Sequence, residues 1–196
     1  MSTHDALDTF RIGSGIALAQ AAPWHSAPVS PDSPALQVMT DLTQIKAATV
    51  LPGATLRDAE QTMIYQGVRM LFVVSAMPQI EGLVTSTDLR GDATMRIAQQ
   101  RGLRYDELRV VDAMTPLAEL DALDFDRLRH ARVGDVIATL RRVGRHHLLV
   151  VQAASERAPR RVRGVLSRSQ VERQLGAPIT VTPIASSFAE IERALA

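Results

Sequence analysis

Cysteine is absent from the 196-residue chain, which excludes disulfides, thiolate nucleophiles and cysteine-ligated zinc together. Aromatic residues make up only 4%. Val, Leu, Ile, Ala and Met therefore have to fill the interior, and the interleaved aromatics that single-stranded nucleic acid stacks on are missing. No apolar run approaches the roughly 20 residues of a membrane helix. The N-terminal run Ile16-Ala17-Leu18-Ala19 stops at Gln20 and follows Asp5 and Asp8, unlike the cationic start and longer apolar core of a signal peptide. A cytoplasmic protein with no membrane partner is expected. Lysine is nearly missing, Lys46 being the only one, and the formal net charge is +1, so bulk charge gives no sign of a nucleic-acid binder.

Catalytic signatures are lacking too. There is no G-x-x-x-x-G-K-[ST] loop and no nucleophile elbow. Gly13-Ser14-Gly15 is not preceded by a strand. The histidines His4, His25, His130, His146 and His147 form no i,i+4 pair and have no carboxylate at a metal-ligand spacing. No catalytic residue, metal ligand or catalytic cofactor is assigned, and the chain reads as a non-enzyme.

What is present is an ordinary globular interior, 46% hydrophobic, preceded by a distinct segment. Residues 1–35 carry Pro23, Pro28, Pro31 and Pro34 among small polar residues and read as an extended arm or linker. Trp24 within it is either a loose end or a docking anchor.

The body contains a repeat. Gly67-Val68-Arg69-Met70-Leu71-Phe72-Val73-Val74 recurs as Gly144-Arg145-His146-His147-Leu148-Leu149-Val150-Val151, an offset of 77 from residue 67 to residue 144. Gly82-Leu83-Val84-Thr85-Ser86-Thr87-Asp88 recurs as Gly164-Val165-Leu166-Ser167-Arg168-Ser169-Gln170, at an offset of 82. The extra residues fit a charged hairpin loop within 152–163.

Each copy reads as β-α-β-β-α. In the first, a short strand ends before Pro52. Thr55 caps a helix with Asp58 three residues on, and Leu56, Ala59, Met63 and Ile64 share its apolar face. Gly67 ends that helix. Strands follow at 70–74 and 80–85, then a helix from Thr87 or Asp92 towards Gln100. In the second copy a first strand is expected near 120–123. One long helix over 126–143, strands at 148–151 and 162–167, and a helix over 169–175 stopped by Gly176 follow. The tail offers a strand at 179–183 and a short helix from Ser186 or Ser187 through Leu195.

Taken together, Thr49-Val50-Leu51-Pro52 with Thr55-Leu56, the segment from Gly67 to Val74, Gly82-Leu83-Val84-Thr85-Ser86-Thr87-Asp88-Leu89 and the linker Asp112-Ala113-Met114-Thr115-Pro116 resemble a tandem CBS (cystathionine β-synthase) domain pair of the stand-alone bacterial type. The resemblance covers roughly residues 38–176. It implies an α/β fold of two βαββα units packed sheet to sheet with pseudo-twofold symmetry, behind an extended N-terminal arm. The expected division is arm 1–35, first unit 36–110, second unit 111–178 and tail 179–196. It also implies two clefts between the units that take adenosine-containing ligands (AMP, ADP, ATP or S-adenosylmethionine) as regulatory rather than catalytic partners, and a homodimer of such pairs.

The chemistry of the first motif agrees. Thr85, Thr87 and Asp88 sit where a strand turns into a helix, where free N–H groups and the helix dipole favour phosphate. The Asp88 carboxylate has acceptor sites for a vicinal ribose diol. Val50 and Val84 are candidates to line an adenine slot, and Arg69 matches a position where relatives place a base against phosphate. The plainer reading is a helix cap, Thr85 or Thr87, with Asp88 complementing the dipole. In the second copy Ser167 and Ser169 keep the hydroxyls, but Gln170 replaces the carboxylate. Of the two adjacent histidines only one can face the cleft; His146 is chosen because it aligns with Arg69. The arginines of residues 127–168 read as a solvated face, the alternative being a basic rim that draws a polyphosphate or acidic partner.

The functional expectation is a ligand-sensing regulatory module that signals to an unknown effector protein by conformational change. The alternative is a CBS-fold interaction or dimerisation scaffold without ligand, favoured by Gln170 and by Phe72.

Overall fold

Leu71 and Val73 alternate with Met70 and Phe72 along one strand, and Leu148 and Val150 with His147 and Leu149 along its repeat, so each strand has an apolar residue for both faces and needs cover on both. The fold supplies it. In the computed structural model, which describes Arg11 and residues 27–154 and 159–180, two four-stranded sheets pack face to face with helices outside.

In chain order the elements are β1 (Met39–Asp41), β2 (Thr49–Val50), α1 (Leu56–Gln66), β3 (Met70–Val73), β4 (Gly82–Thr85), α2 (Ser86–Arg90), α3 (Asp92–Arg101), α4 (Val110–Ala113), β5 (Thr115–Pro116), β6 (Ala122–Asp124), α5 (Phe125–His130), α6 (Val133–Val143), β7 (His147–Gln152), β8 (Arg161–Ser167) and α7 (Arg168–Leu175). One sheet runs β2-β3-β4-β5 and the other β1-β8-β7-β6. In each, a parallel pair (β2 with β3, β6 with β7) leads into an antiparallel pair (β3 with β4, β7 with β8). This is the duplicated βαββα unit. The two units exchange edges: β1, within the range expected for the first unit, lies antiparallel to β8 of the second sheet, and β5, within the range expected for the second, lies antiparallel to β4 of the first.

Local chemistry fixes the helix ends. The Thr55 hydroxyl accepts from the Asp58 N–H at 3.0 Å while Asp58 Oδ2 accepts from the Thr55 N–H at 3.3 Å and its hydroxyl at 2.6 Å, which satisfies donors the first turn leaves open. Those bonds hold the Asp58 carboxyl below its ordinary pKa, the Thr55 hydroxyl contributing most. Gly67 and Gly144 end α1 and α6 with φ of 65° and 68°, a left-handed turn that favours residues without a Cβ.

Three apolar layers result. Leu56, Ala59, Met63, Leu71, Val73 and Val84 pack between α1 and the first sheet. Val133, Val136, Leu140, Leu148, Val150 and Leu166 pack between α6 and the second. Phe72, Val74 and Leu83 of the first unit meet Leu149 and Val165 of the second between the sheets.

The expected single helix over 126–143 is two helices, α5 and α6. Ala131 and Arg132 are extended between them because residues 31–35 run alongside: Ala35 N–H donates to Ala131 O, Val133 N–H to Ser33 O and Gly134 N–H to Pro31 O, at 2.8–3.0 Å. The helix after β4 likewise divides into α2 and α3 at Gly91, which is extended. The strand expected at 80–85 begins at Gly82. The described part of the arm, residues 27–34, is a strap across the second unit, with Val29 N–H donating to Gln174 O at 3.0 Å and the Val29 side chain against the second helix-side layer. Trp24, the tip of the 152–163 hairpin loop at 155–158, most of the 179–183 strand and the terminal helix to Leu195 lie outside the described residues.

A bulge shapes the edge of the second sheet. Val150 pairs with Gly164 and Val151 with Val162, so Arg163 is the extra residue, and a bulge re-aims the side chain it carries. The Arg163 guanidinium forms an ion pair with Asp41, reaches the Thr43 hydroxyl, and sits 5.1 Å from the Phe125 ring centroid. The Asp41 carboxylate also accepts from Thr43 N–H at 2.8 Å and its hydroxyl at 2.7 Å. These contacts pin β1 to a unit it precedes by the length of the other unit.

Close approach along β1 makes one glycine indispensable. A Cβ on Gly164 would stand 2.6 Å from Met39 Sδ and 2.8 Å from Thr40 O. Gly164→Ala is expected to cost about 1–3 kcal/mol, read as a lowered midpoint in urea unfolding; an unchanged midpoint would show that β1 yields freely.

Candidate functional site

The end of each sheet where β3 begins and β4 ends is built alike in both units. Met70 pairs with Thr85, and His147 with Ser167. Ser86 N–H donates to Arg69 O at 3.0 Å and Arg168 N–H to His146 O at 2.9 Å. The strand-to-helix turns 85–88 and 167–170 therefore lie against the starts of the preceding strands, and Arg69 and Thr85–Asp88 come together at one end of the first unit.

Thr85 is the cap of α2. Its hydroxyl accepts from the Asp88 N–H at 3.3 Å and donates to Asp88 Oδ2 at 2.7 Å, and Thr85 N–H donates to the same oxygen at 2.8 Å. Thr87 lies inside α2 and is exposed, as is Arg69. The Thr94 hydroxyl donates to Asp88 O at 2.5 Å and so ties the first turn of α2 to α3. The turn thus holds a half-buried carboxylate and a hydroxyl in fixed relation, and the main chain of the exposed Arg69 is tied to it. Val50 is half-buried and packs on the first helix-side layer, while Val84 has no exposed surface and belongs wholly to that layer. An adenine slot between the sheets would be lined by the neighbours of opposite parity, such as Met70 and Leu83.

The second end differs in chemistry. Ser167 makes no side-chain cap; its hydroxyl is 3.0 Å from that of Ser169. Gln170 stands in the place of Asp88. Its Nε2 donates to Gln174 Oε1 at 3.1 Å and its Oε1 accepts from Arg173 at 3.1 Å. A carboxylate at the third helical position collects the open N–H and hydroxyl donors, whereas an amide also has donors to place and finds an acceptor one turn on.

The expectation that His146 faces the space between the sheets is corrected by strand parity. Leu148 and Val150 face the helices, and Leu149 faces the other sheet, so His147 shares the face of Leu149. His146 is exposed. Burial pushes the His147 pKa down to about 4, and the nearby His146 and Arg69 charges push the same way. The repeat carried the signal: at its constant offset His147 aligns with Met70, which packs between the sheets. Arg69 from one unit and His147 from the other are thus close enough to influence each other.

Among the described residues no group of three or more His, Asp or Glu is placed to hold a metal, and no helix is long and apolar enough to cross a membrane.

Residues 37–92 match the model of the CBS domain family. No curated protein matches the chain. Among solved structures, an uncharacterized conserved protein from Pyrococcus horikoshii is similar at 19% identity and a TM-score of 0.53, covering 79% of this chain and 100% of that one. A protein with CBS domains from Burkholderia ambifaria is similar at 20% identity, with 70% and 88% of the two chains covered and a TM-score of 0.50. The CBS domain of a bacterial CNNM/CorC family Mg2+ transporter, solved in complex with ATP, is similar at 17% identity, with 76% and 91% covered and a TM-score of 0.50. At these identities the likeness is one of fold.

The His147 environment has a measurable consequence. With a folded pKa of about 4 against about 6.5 unfolded, the unfolded chain binds more protons between those values. Stability therefore falls as pH drops from 6.5 to 4, and His147→Gln flattens that part of the profile. An imidazole C–H resonance of His147 that titrates near pH 6.5 in the folded protein would contradict the burial.

Proposed function

We propose that this chain, which carries a CBS domain and has the fold of a CBS pair, is a non-catalytic sensor that binds an adenosine nucleotide at the first-unit end and passes the signal to a partner protein. The observation that carries this reading is the turn 85–88. Its capping box holds the Asp88 carboxylate through one oxygen, which suits the paired hydroxyls of a ribose. The exposed Arg69, whose main-chain carbonyl is tied to that turn by Ser86 N–H, carries a guanidinium fork that suits phosphate. The ATP complex of a structurally similar CBS domain is consistent with that ligand class. Signalling then follows from differential affinity: a ligand gripped by both units favours one setting of the sheets over others.

Thermal shift and calorimetry with AMP, ADP, ATP and S-adenosylmethionine test this. One adenosine compound is expected to raise the melting temperature by mass action. Asp88→Ala is expected to weaken its binding at least about tenfold, the loss of a charge-assisted hydrogen-bond pair. Asp135→Ala removes a comparable bond at the start of α6, where Asp135 accepts from Arg132 N–H at 2.9 Å, and should leave affinity unchanged. Equal affinity in wild type and Asp88→Ala would remove Asp88 from the site.

A second reading, the dimerisation scaffold, is favoured by α1. Ile64 and Tyr65 are 72% and 91% exposed and flank a groove of about 580 Å3 lined also by Asp58, Gln61, Thr62 and Gln66. An aromatic and a branched aliphatic side by side in water suit a homodimer contact. Light scattering should show a dimer that Ile64→Asp converts to a monomer; a wild-type monomer at tens of micromolar would oppose it.

A further inference from the structure

Asp41 is buried to 9% exposure, and every donor its carboxylate receives falls on one oxygen. Thr43 N–H, the Thr43 hydroxyl and Arg163 Nη1 all donate to Oδ1, and among the described residues no donor reaches Oδ2. A buried carboxylate oxygen without a donor is costly. Arg163 is left in a matching state. Its Nη1 serves Asp41 and the Thr43 hydroxyl, while Nε and Nη2, the parallel edge that grips a carboxylate, have no partner among the described residues. The bulge aims this guanidinium over the Phe125 ring. Asp41 and Arg163 line one cleft of about 310 Å3, whose apolar wall is Leu36, Met39 and Phe125. The exposed amides of Gln37 and Gln44 complete its lining. Met39 and Phe125 belong to the helix-side layer of the second sheet, so the cleft lies on the face of that sheet opposite the seam.

We propose that this cleft binds a free α-amino acid with an apolar side chain. The ion pair leaves the cleft without net charge but with one unused edge of each sign. A zwitterion matches both. Its carboxylate takes the Nε–Nη2 edge of Arg163, its ammonium gives Asp41 Oδ2 the missing donor, and its side chain lies against Leu36, Met39 and Phe125. A phosphate would satisfy the guanidinium and bring no donor to Asp41, and a simple amine would leave the guanidinium edge open. At about 310 Å3 the cleft stands at the low end of ligand sites, roughly 300–1,000 Å3, which suits a molecule of this size rather than a nucleotide. Asp41 belongs to β1 and Arg163 to the β8 edge it pairs with, so a bound amino acid clamps β1 to the second sheet. The site is separate from the first-unit end and does not depend on nucleotide binding there.

Calorimetry of the full chain with L-leucine, L-methionine and L-phenylalanine tests this. At least one of the three is expected to bind, to raise the melting temperature and to slow hydrogen–deuterium exchange in peptides spanning residues 36–44. The amide and the N-acetyl derivative of that amino acid lack the carboxylate and the ammonium respectively. Each should bind at least about tenfold more weakly through the loss of one charge-assisted contact, a comparison that leaves the protein unaltered. Leu36, 37% exposed, offers a variant outside the ion pair: Leu36→Glu sets a carboxylate in the cleft to compete for Arg163. It should weaken binding at least about tenfold with an unchanged midpoint in urea. Silence of all three amino acids at millimolar concentration overturns the site. Derivatives that bind as tightly as the parent, or a Leu36→Glu variant that binds as wild type does, overturn it equally.

Discussion

The contact on which the rest depends is the apolar seam between the sheets, where Phe72, Val74 and Leu83 meet Leu149 and Val165. Each fully buried side chain of this size contributes about 1.5–3 kcal/mol by leaving water. The seam also decides geometry. It sets Met70 and His147 on facing surfaces, brings Arg69 within electrostatic reach of His147, and fixes how the two strand-to-helix turns are presented. The seam is packed with aliphatic residues and one phenyl ring.

The two ends of the module show how one substitution redirects a shared frame. Backbone pairing is the same in both, down to the bond from the residue after the cap to the residue before the strand. At the third helical position, however, a carboxylate closes the first turn on itself, whereas an amide opens the second towards its neighbour along the helix. The first end keeps a carboxylate with one oxygen outside the capping box. The second carries an amide bonded to Gln174 and a histidine that burial drives neutral, which offers a hydrogen bond rather than a charge.

Much of this was legible in the sequence because it depends on neighbours. The duplicated glycine-to-valine segment, the Thr55–Asp58 box and the stops at Gly67 and Gly176 are set within a few residues, and the structure has them where the spacing puts them. What was hidden depends on partners far along the chain. Nothing near residue 131 announces that a strap will run beside it and break a helix. The apolar run that contains His147 does not say which face is which until Leu148 and Leu149 have chosen their layers. Nothing in the sequence signals that the Gln170 amide meets Gln174. The exchange of β1 and β5 between sheets belongs to the same class, since edge pairing is decided by what remains unpaired after the local units have formed.

That exchange bears on what one unit could do alone. Each sheet is finished by a strand from the segment that precedes the other helix-bearing unit, so a single copy of the repeat presents an open edge and a surplus strand at once. Two separate copies satisfy each other only by trading those strands. A protein of one copy would be complete only in pairs, and in tandem the trade takes place within one chain.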